Sequence, residues 1–294
     1  VTKAMIIINP SSGKERALGI LPGLLQIARN LYDDVPVRET EKEGDAAEFA
    51  REACALGYDA VLSIGGDGTI SETINGMAEQ AHRPHLGIIP MGTVNDFARA
   101  LKIPLEPERA LEILSSRHTI PVDIGKINDR YFMNVLAAGA IAEATYAVSP
   151  QQKTMLGSFA YFLEGIKTII SKTPFKLTVE HDGGKWVGKA YLIVSALTNS
   201  VGGFEALAPD ARVGDGKIHT FVMKDFSLTQ IMKIIPMLLT GELQEHEQVE
   251  YICSSTIKVS ATEDLVANID GDEGEPLPFT ARVLKQHLRV FVPD

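Results

Sequence analysis

Apolar positions fall into two rhythms along the chain. In the first 120 or so residues, short runs that are apolar throughout alternate with longer stretches in which apolar residues recur every three or four positions. The runs Ala4–Ile8, Ala60–Ile64 and Leu86–Ile89 read as buried strands, with a further strand near Val35–Glu39. Helices are expected over Glu15–Leu31, Asp45–Leu56 and Ser71–Gln80. The second has acids in its first turn, where the helix dipole is positive, and Ala46, Ala47, Phe49, Ala50, Ala53 and Cys54 form one apolar stripe. This βαβα order with short links predicts a parallel sheet covered by helices, an α/β domain over residues 1–123.

From about Asp123 the rhythm changes. Strands are expected at Tyr131–Ala137, Phe175–His181, Ala190–Ala196, Ile218–Met223, Thr256–Ser260, Val266–Ile269 and Leu288–Val292, punctuated by turns such as Asp182-Gly183-Gly184 and Asp215-Gly216. Consecutive strands predict a β-rich antiparallel sandwich over residues 124–294. Two helices interrupt it, Met155–Ser171 and Ser227–Thr240, the second kinked at Pro236.

Composition bounds the function classes. With 294 residues, 45% hydrophobic and 22% charged, the chain has the make-up of a soluble protein with room for two domains. Cys54 and Cys253 lie far apart without C-x-x-C spacing, so neither a disulfide framework nor a cysteine-ligated metal is indicated, and a cytoplasmic setting fits. The opening apolar run is too short for a signal segment, and no run reaches transmembrane length. A net charge of −10 and the lack of a basic stripe interleaved with aromatics argue against nucleic acid. Charge is uneven, however: residues 124–241 hold 12 Lys+Arg against 9 Asp+Glu, while residues 242–275 hold 10 acids against Lys258. The plain reading of Glu242–Glu250 is a solvated face.

Three loops that follow strands of the first domain are chemically loaded, and in open α/β sheets such loops converge on one crevice. Ala60–Ile64 runs directly into Gly65-Gly66-Asp67-Gly68-Thr69, three glycines with one carboxylate and one hydroxyl before a helix. Residues without Cβ let phosphate oxygens approach backbone N–H groups, the helix start favours anions, Asp67 can face nucleotide-borne Mg²⁺ and Thr69 can bond a phosphate. The spacing is neither G-x-G-x-x-G, since Ser71 replaces the third glycine, nor the P-loop pattern. Asn9-Pro10-Ser11-Ser12-Gly13-Lys14 offers small hydroxyl residues and a cation. Pro90-Met91-Gly92-Thr93-Val94-Asn95-Asp96-Phe97-Ala98-Arg99 joins a tight glycine to Thr93, Asn95 and Asp96, which also suit a plain helix cap.

These three motifs together resemble those of the diacylglycerol kinase catalytic domain superfamily, especially the soluble bacterial diacylglycerol kinases, and the resemblance runs over the whole chain. It implies a nucleotide domain with a fold like those of NAD kinases and phosphofructokinases, followed by a β-rich lipid-substrate domain. It further implies that Asn9, Pro10, Ser11, Ser12, Gly13, Thr40, Gly65, Gly66, Asp67, Gly68, Thr69, Ile70, Ser71 and Thr93, with Asn95 beside them, form the ATP site. The segment Ala208–Lys217 is similar to that family's structural Mg²⁺ site, which implies the Asp215 side chain and the carbonyls of Arg212 and Lys217 as ligands; without the resemblance, Asp215-Gly216 reads as a hairpin turn.

Phosphoryl transfer to an alcohol needs a base for the hydroxyl proton and charge neutralisation at the phosphate. Asn268-Ile269-Asp270-Gly271-Asp272-Glu273-Gly274-Glu275 supplies carboxylates at a strand end and lacks the full spacing of an EF-hand. Bacterial members commonly read Asp-Gly-Glu here, with the Glu as proton acceptor; Asp272 holds that position, one methylene shorter, beside Asp270 and Glu273. The resulting expectation is an ATP- and Mg²⁺-dependent kinase converting diacylglycerol to phosphatidic acid. Alternatives are a kinase of another lipid alcohol, an NAD kinase, or a nucleotide-binding regulator without a base. Lys153, Lys167, Lys172 and Lys176 interleave with Met155, Leu156, Phe159, Tyr161 and Phe162, a segment expected to touch the inner face of a membrane transiently or to cover the β-rich domain with its apolar face while the lysines meet water. A homodimer is compatible with all of this.

Overall fold

A computed structural model describes residues 1–13, 16–139, 173–203, 207–225 and 241–294, with the single positions 230, 234, 237 and 240. The expected helix Met155–Ser171, its lysines Lys153, Lys167 and Lys172, the kink at Pro236 and the side chain of Lys14 lie outside the described residues. Among those described, no helix is long and apolar enough to cross a membrane. The chain divides into two compact units, Val1–Ile124 with Lys285–Asp294, and Gly125–Leu284.

In the first unit, β1 (Ala4–Ile8), β2 (Val37–Glu39), β3 (Ala60–Gly65) and β4 (His85–Pro90) are parallel in the order β2-β1-β3-β4, and Val290 of β15 (Phe279–Phe291) pairs in parallel with Leu86. All five residues of β1 are buried, as they must be when helices cover both faces of a parallel sheet. On one face, α1 (Ala17–Leu31) and α5 (Pro107–Ser116) lay Leu24, Ala28, Leu111 and Leu114 against Ile6, Leu62 and Ile64. Each large aliphatic side chain so buried contributes about 2 kcal/mol. Elsewhere α2 (Asp45–Ala55) packs on α3 (Asp67–Met77), so closely that a Cβ at Gly76 would run into the Ala47 carbonyl.

The helix expected from Ser71 starts four residues earlier, at Asp67, because Gly66 is extended and Asp67 takes the first turn, where an acid suits the dipole. A short helix α4 (Asp96–Ala100) follows the third loop, and a strand that periodicity did not show, β5 (Thr119–Ile127), runs through Pro121 and Asp123 and pairs with β6 (Arg130–Phe132).

Past α3, the backbone N–H of Glu79 donates to His287 Nε2 at 2.8 Å, and Arg83 Nε donates to the His287 carbonyl at 2.9 Å. Burial first, and the Arg83 charge second, hold the His287 ring below its ordinary pKa. His85 is lowered too, by burial and then by Arg289. A ring kept neutral in the folded state while the unfolded chain binds a proton loses stability as pH falls through the ordinary histidine value towards the folded one. The melting temperature is therefore expected to decline from pH 7 to pH 5. That decline should be shallower in His287→Gln, which lacks the proton site; equal slopes in thermal scans would refute the assignment.

The second unit is antiparallel. Its strands β7 (Val135–Gly139), β8 (Phe175–His181), β9 (Gly184–Ala196), β12 (Thr256–Ala261), β13 (Val266–Ile269) and β14 (Asp272–Pro276) run in the order β14-β13-β7-β9-β8-β12, with the first part of β15 beyond β12. β10 (Ile218–Lys224) pairs with β9, and β11 (Val249–Ser254) pairs with β10. Leu177, Val179, Ile193, Ile257, Val259 and Phe279 belong to its core. The segment read as a solvated face, residues 242–250, holds a short 3-10 turn, Leu243–Glu245, and the start of β11; Glu242, Glu245 and Glu247 are exposed, while Leu243 and Val249 are buried.

Candidate active site

Three strand-end loops of the first unit meet. The Asn9 N–H donates to the Ile64 carbonyl at 3.0 Å and the Asn9 amide reaches Thr69 Oγ1 at 3.3 Å, while the Met91 N–H donates to the Gly65 carbonyl at 2.8 Å. Gly66 and Gly92 touch: a Cβ on Gly66 would stand 3.2 Å from the Gly92 Cα, and one on Gly92 would stand 2.9 Å from the Gly66 Cα. Any side chain at either position would drive the second and third loops apart.

Asp67 sits at this junction. Its Oδ2 accepts the Asn95 N–H at 2.8 Å, whereas its buried Oδ1 has no hydrogen-bond partner among the described residues. Burial pushes the carboxyl above its ordinary pKa and the Asp96 charge adds to it, while the backbone N–H groups of Asn95, Asp96 and Phe97 work against the rise. An unpaired, desolvated carboxylate oxygen is costly unless something charged comes to it.

The other sequence-derived positions divide by what they offer. Asn95 holds a left-handed backbone (φ 56°), its Oδ1 accepting the Gly92 N–H at 2.9 Å and its Nδ2 donating to the Gly92 carbonyl at 2.8 Å, so its side chain closes its own loop. Ile70 is wholly buried and its N–H bonds the Gly66 carbonyl. Ser11 donates through N–H and Oγ to Asn9 Oδ1, the Ser12 N–H reaches the Asn9 carbonyl, and Ser71 lends its carbonyl to Asn75. Gly68 and Thr93 are exposed.

A cavity of about 560 Å³ opens beside the first two of these loops, lined by Asn9, Pro10, Ser11, Thr40, Thr69 and the segment Glu41–Glu43 among others. Two residues outside the predicted site shape its wall, Glu72 by lining it and Asp45 by holding the Glu41–Lys42 backbone. Glu72 accepts the Gly44 N–H at 3.0 Å, and Asp45 accepts the N–H groups of Glu41 and Lys42 at 2.8 and 3.0 Å. For Glu72 the signal was its place one turn after Gly68 on α3. A second recess, about 640 Å³ along residues 29–35, holds none of the three loops.

In the second unit the β13–β14 hairpin separates the two candidate carboxylates. Asp270, at φ 51°, accepts the N–H groups of Met133, Asn134 and Val135 at 2.7, 2.9 and 2.9 Å, which makes it a clamp on the approach to β7. Asp272 opens β14 and is exposed. Next to it, Arg130 donates to the Glu273 carbonyl at 3.0 Å.

Asp215 ties a turn together. Its Oδ1 accepts the Lys217 N–H at 2.8 Å, and its Oδ2 accepts the Arg212 N–H at 3.1 Å and the buried His219 Nε2 at 2.9 Å. Burial works upward on its carboxyl, but the bonds from His219, Arg212 and Lys217 outweigh it and hold the pKa low. His219 in turn meets the Tyr251 hydroxyl at 2.6 Å. A hard cation would take the remaining lone pair of Oδ1, with backbone carbonyls completing an oxygen set.

Residues 3–127 match the diacylglycerol kinase catalytic domain family, and residues 134–292 match the YegS C-terminal NAD kinase beta sandwich-like domain family. The chain is 39% identical over 292 residues to the diacylglycerol kinase of Staphylococcus saprophyticus, covering 99% of this chain and 96% of that one. The chain belongs to the diacylglycerol kinase family. Another member, the diacylglycerol kinase of Staphylococcus carnosus, is 38% identical over 291 residues, covering 99% of this chain and 95% of its own. A crystal structure of a diacylglycerol kinase from Bacillus anthracis superposes with a TM-score of 0.85 at 26% identity, over 99% of this chain and 97% of that one. The parallel first unit and antiparallel second unit are thus those of a diacylglycerol kinase, an enzyme family with kinase activity.

Proposed function

We propose that this enzyme transfers the γ-phosphoryl group of ATP to the free hydroxyl of diacylglycerol, giving phosphatidic acid, in an Mg²⁺-dependent reaction on lipid drawn from a membrane surface. The observation that carries this reading is Asp67, a half-buried carboxylate with one buried, orphaned oxygen, in the glycine loop whose Thr69 lines a cavity of about 560 Å³. The donor set fits a nucleotide: N–H groups freed of Cβ hindrance at Gly66 and Gly68, the start of an eleven-residue helix, and the Thr40–Glu43 wall for the nucleoside. Bound Mg²⁺ would supply charge neutralisation at the phosphates, with Asp67 as the residue that holds it.

The remaining chemistry belongs to the chain's own residues. Asp272 takes the proton of the lipid hydroxyl at a carboxylate oxygen as the oxygen–phosphorus bond forms; Asp270, committed to three N–H groups, keeps β13, the strand on which β14 and its Asp272 pair, in register with β7. Assay of labelled ATP with diacylglycerol, other lipid alcohols and NAD tests the reading. Transfer to NAD alone, or preference for a different alcohol, would overturn the substrate assignment.

A second Mg²⁺ at Asp215, with the carbonyls of Arg212 and Lys217, is part of the same proposal. Asp215→Ala is expected to lower the melting temperature more in millimolar Mg²⁺ than in chelator, since a ligand bound to the folded state alone adds stability by mass action. The same Mg²⁺ increment in both proteins would leave Asp215 as the clasp of a turn.

A further inference from the structure

We propose that the solvent face of the ladder formed by β9, β8, β12 and the start of β15 docks on an anionic lipid bilayer, an inference that rests on the lipid-kinase reading for its purpose. Opposed residues of an antiparallel ladder share a face, and neighbours along each strand alternate. Leu177, Val179, Val259 and Phe279 point into the core, which fixes the opposite face as the outer one. In register on that outer face, Lys176 stands opposite Lys189, Glu180 stands between Lys185 and Lys258, and Arg282 lies opposite Thr256. All five cations are exposed. The middle row is Val187, Thr178 and Ser260, and the Val187 side chain, flanked along its strand by Lys185 and Lys189, is 50% exposed.

Glu180 is the single acid in these rows, and its 3.8 Å contact with Lys185 is an exposed pair of little strength. At the rim, Asp182 is engaged by the Ser255 N–H and hydroxyl, both at 2.7 Å, and Glu263 and Asp264 occupy the turn after β12. A chain of net charge −10 therefore gathers five cations on one open β-surface. The cavities beside residues 9–72 and along residues 29–35 involve none of them. A flat array of cations around an exposed valine, with no enclosing pocket, matches a surface bearing many phosphates better than one small anion. The face has no aromatic side chain on which bases would stack. Its cations stand on hydrogen-bonded strands, so little order has to be imposed when they meet a membrane.

The test is sedimentation of the intact protein with vesicles of mixed phosphatidylglycerol and phosphatidylcholine, and with vesicles of phosphatidylcholine alone. Wild type should partition onto the anionic vesicles only, and high salt should release it. The triple variant Lys176→Gln/Lys189→Gln/Lys258→Gln should lose roughly 100-fold in partitioning, about fivefold for each charge near the surface. A control triple on the first unit, Arg29→Gln/Lys102→Gln/Arg109→Gln, should bind as wild type does. If the face triple fails to fold by circular dichroism, the single variants Lys176→Gln and Lys258→Gln carry the test, each with about a fivefold loss.

Unchanged binding in the face variants overturns the proposal, as does an equal loss in the control. Binding to heparin through this face with none to vesicles also overturns it, and makes the occupant a soluble polyanion. Activity on a short-chain diacylglycerol in neutral detergent should be the same in face triple and wild type. Face-dependent vesicle binding in a protein inactive on every diacylglycerol would remove the substrate reading and leave the docking surface standing.

Discussion

Replacing Asp67 by asparagine is expected to lower turnover at least about 10³-fold while leaving the melting temperature of the nucleotide-free protein equal to or above that of wild type. The two effects have one origin. At neutral pH the native carboxylate is desolvated, with its pKa driven up by burial and with Oδ1 unpartnered among the described residues, so its charge costs stability when no cation is present. Asparagine keeps an oxygen to accept the Asn95 N–H and removes the charge. Stability held back at a functional site is the usual source of such a trade-off. Turnover measured with saturating lipid, beside thermal scans without nucleotide, decides the matter. Near-normal turnover, or a fall of many degrees in melting temperature, would show that Asp67 serves packing instead.

The carboxylates of the β13–β14 hairpin should separate just as sharply. Asp272→Asn keeps shape and loses proton affinity, so turnover should drop about 10²–10⁴-fold with ATP affinity and melting temperature preserved. Asp270→Ala should do the reverse in kind. It strips a charged acceptor from the N–H groups of Met133, Asn134 and Val135, and should cost roughly 2–4 kcal/mol of stability, with activity falling because the fold around Asp272 loosens. An active Asp272→Asn beside an inactive but stably folded Asp270→Asn would exchange the two roles.

Much of this was legible in the chain because the physics involved is local. A strand buried on both faces must be apolar throughout, so Ala4–Ile8 and Ala60–Ile64 declared themselves. Close approach of two loops needs residues without Cβ, so the glycines of Gly65–Thr69 marked themselves, and the fall of the three loaded loops after three strands already implied that they meet. The antiparallel character of the second unit followed from consecutive strands joined by Asp-Gly turns.

What the chain did not disclose depends on partners far away in sequence. Asn95 looks the same in the sequence whether its amide faces a ligand or, as here, closes on Gly92. Asp270 and Asp272 are two similar acids in one motif until folding brings residues 133–135 against the first, across 135 or more positions. Likewise, β15 carries Lys285–Asp294 back to the first unit, a return that no local periodicity encodes. Residue type and spacing by themselves marked which side chains are candidates for phosphoryl chemistry. Which of them, like Asn95 and Asp270, are committed to holding backbone N–H groups was decided by the tertiary structure, because each hydrogen-bonding group must be satisfied and only the folded chain determines by whom.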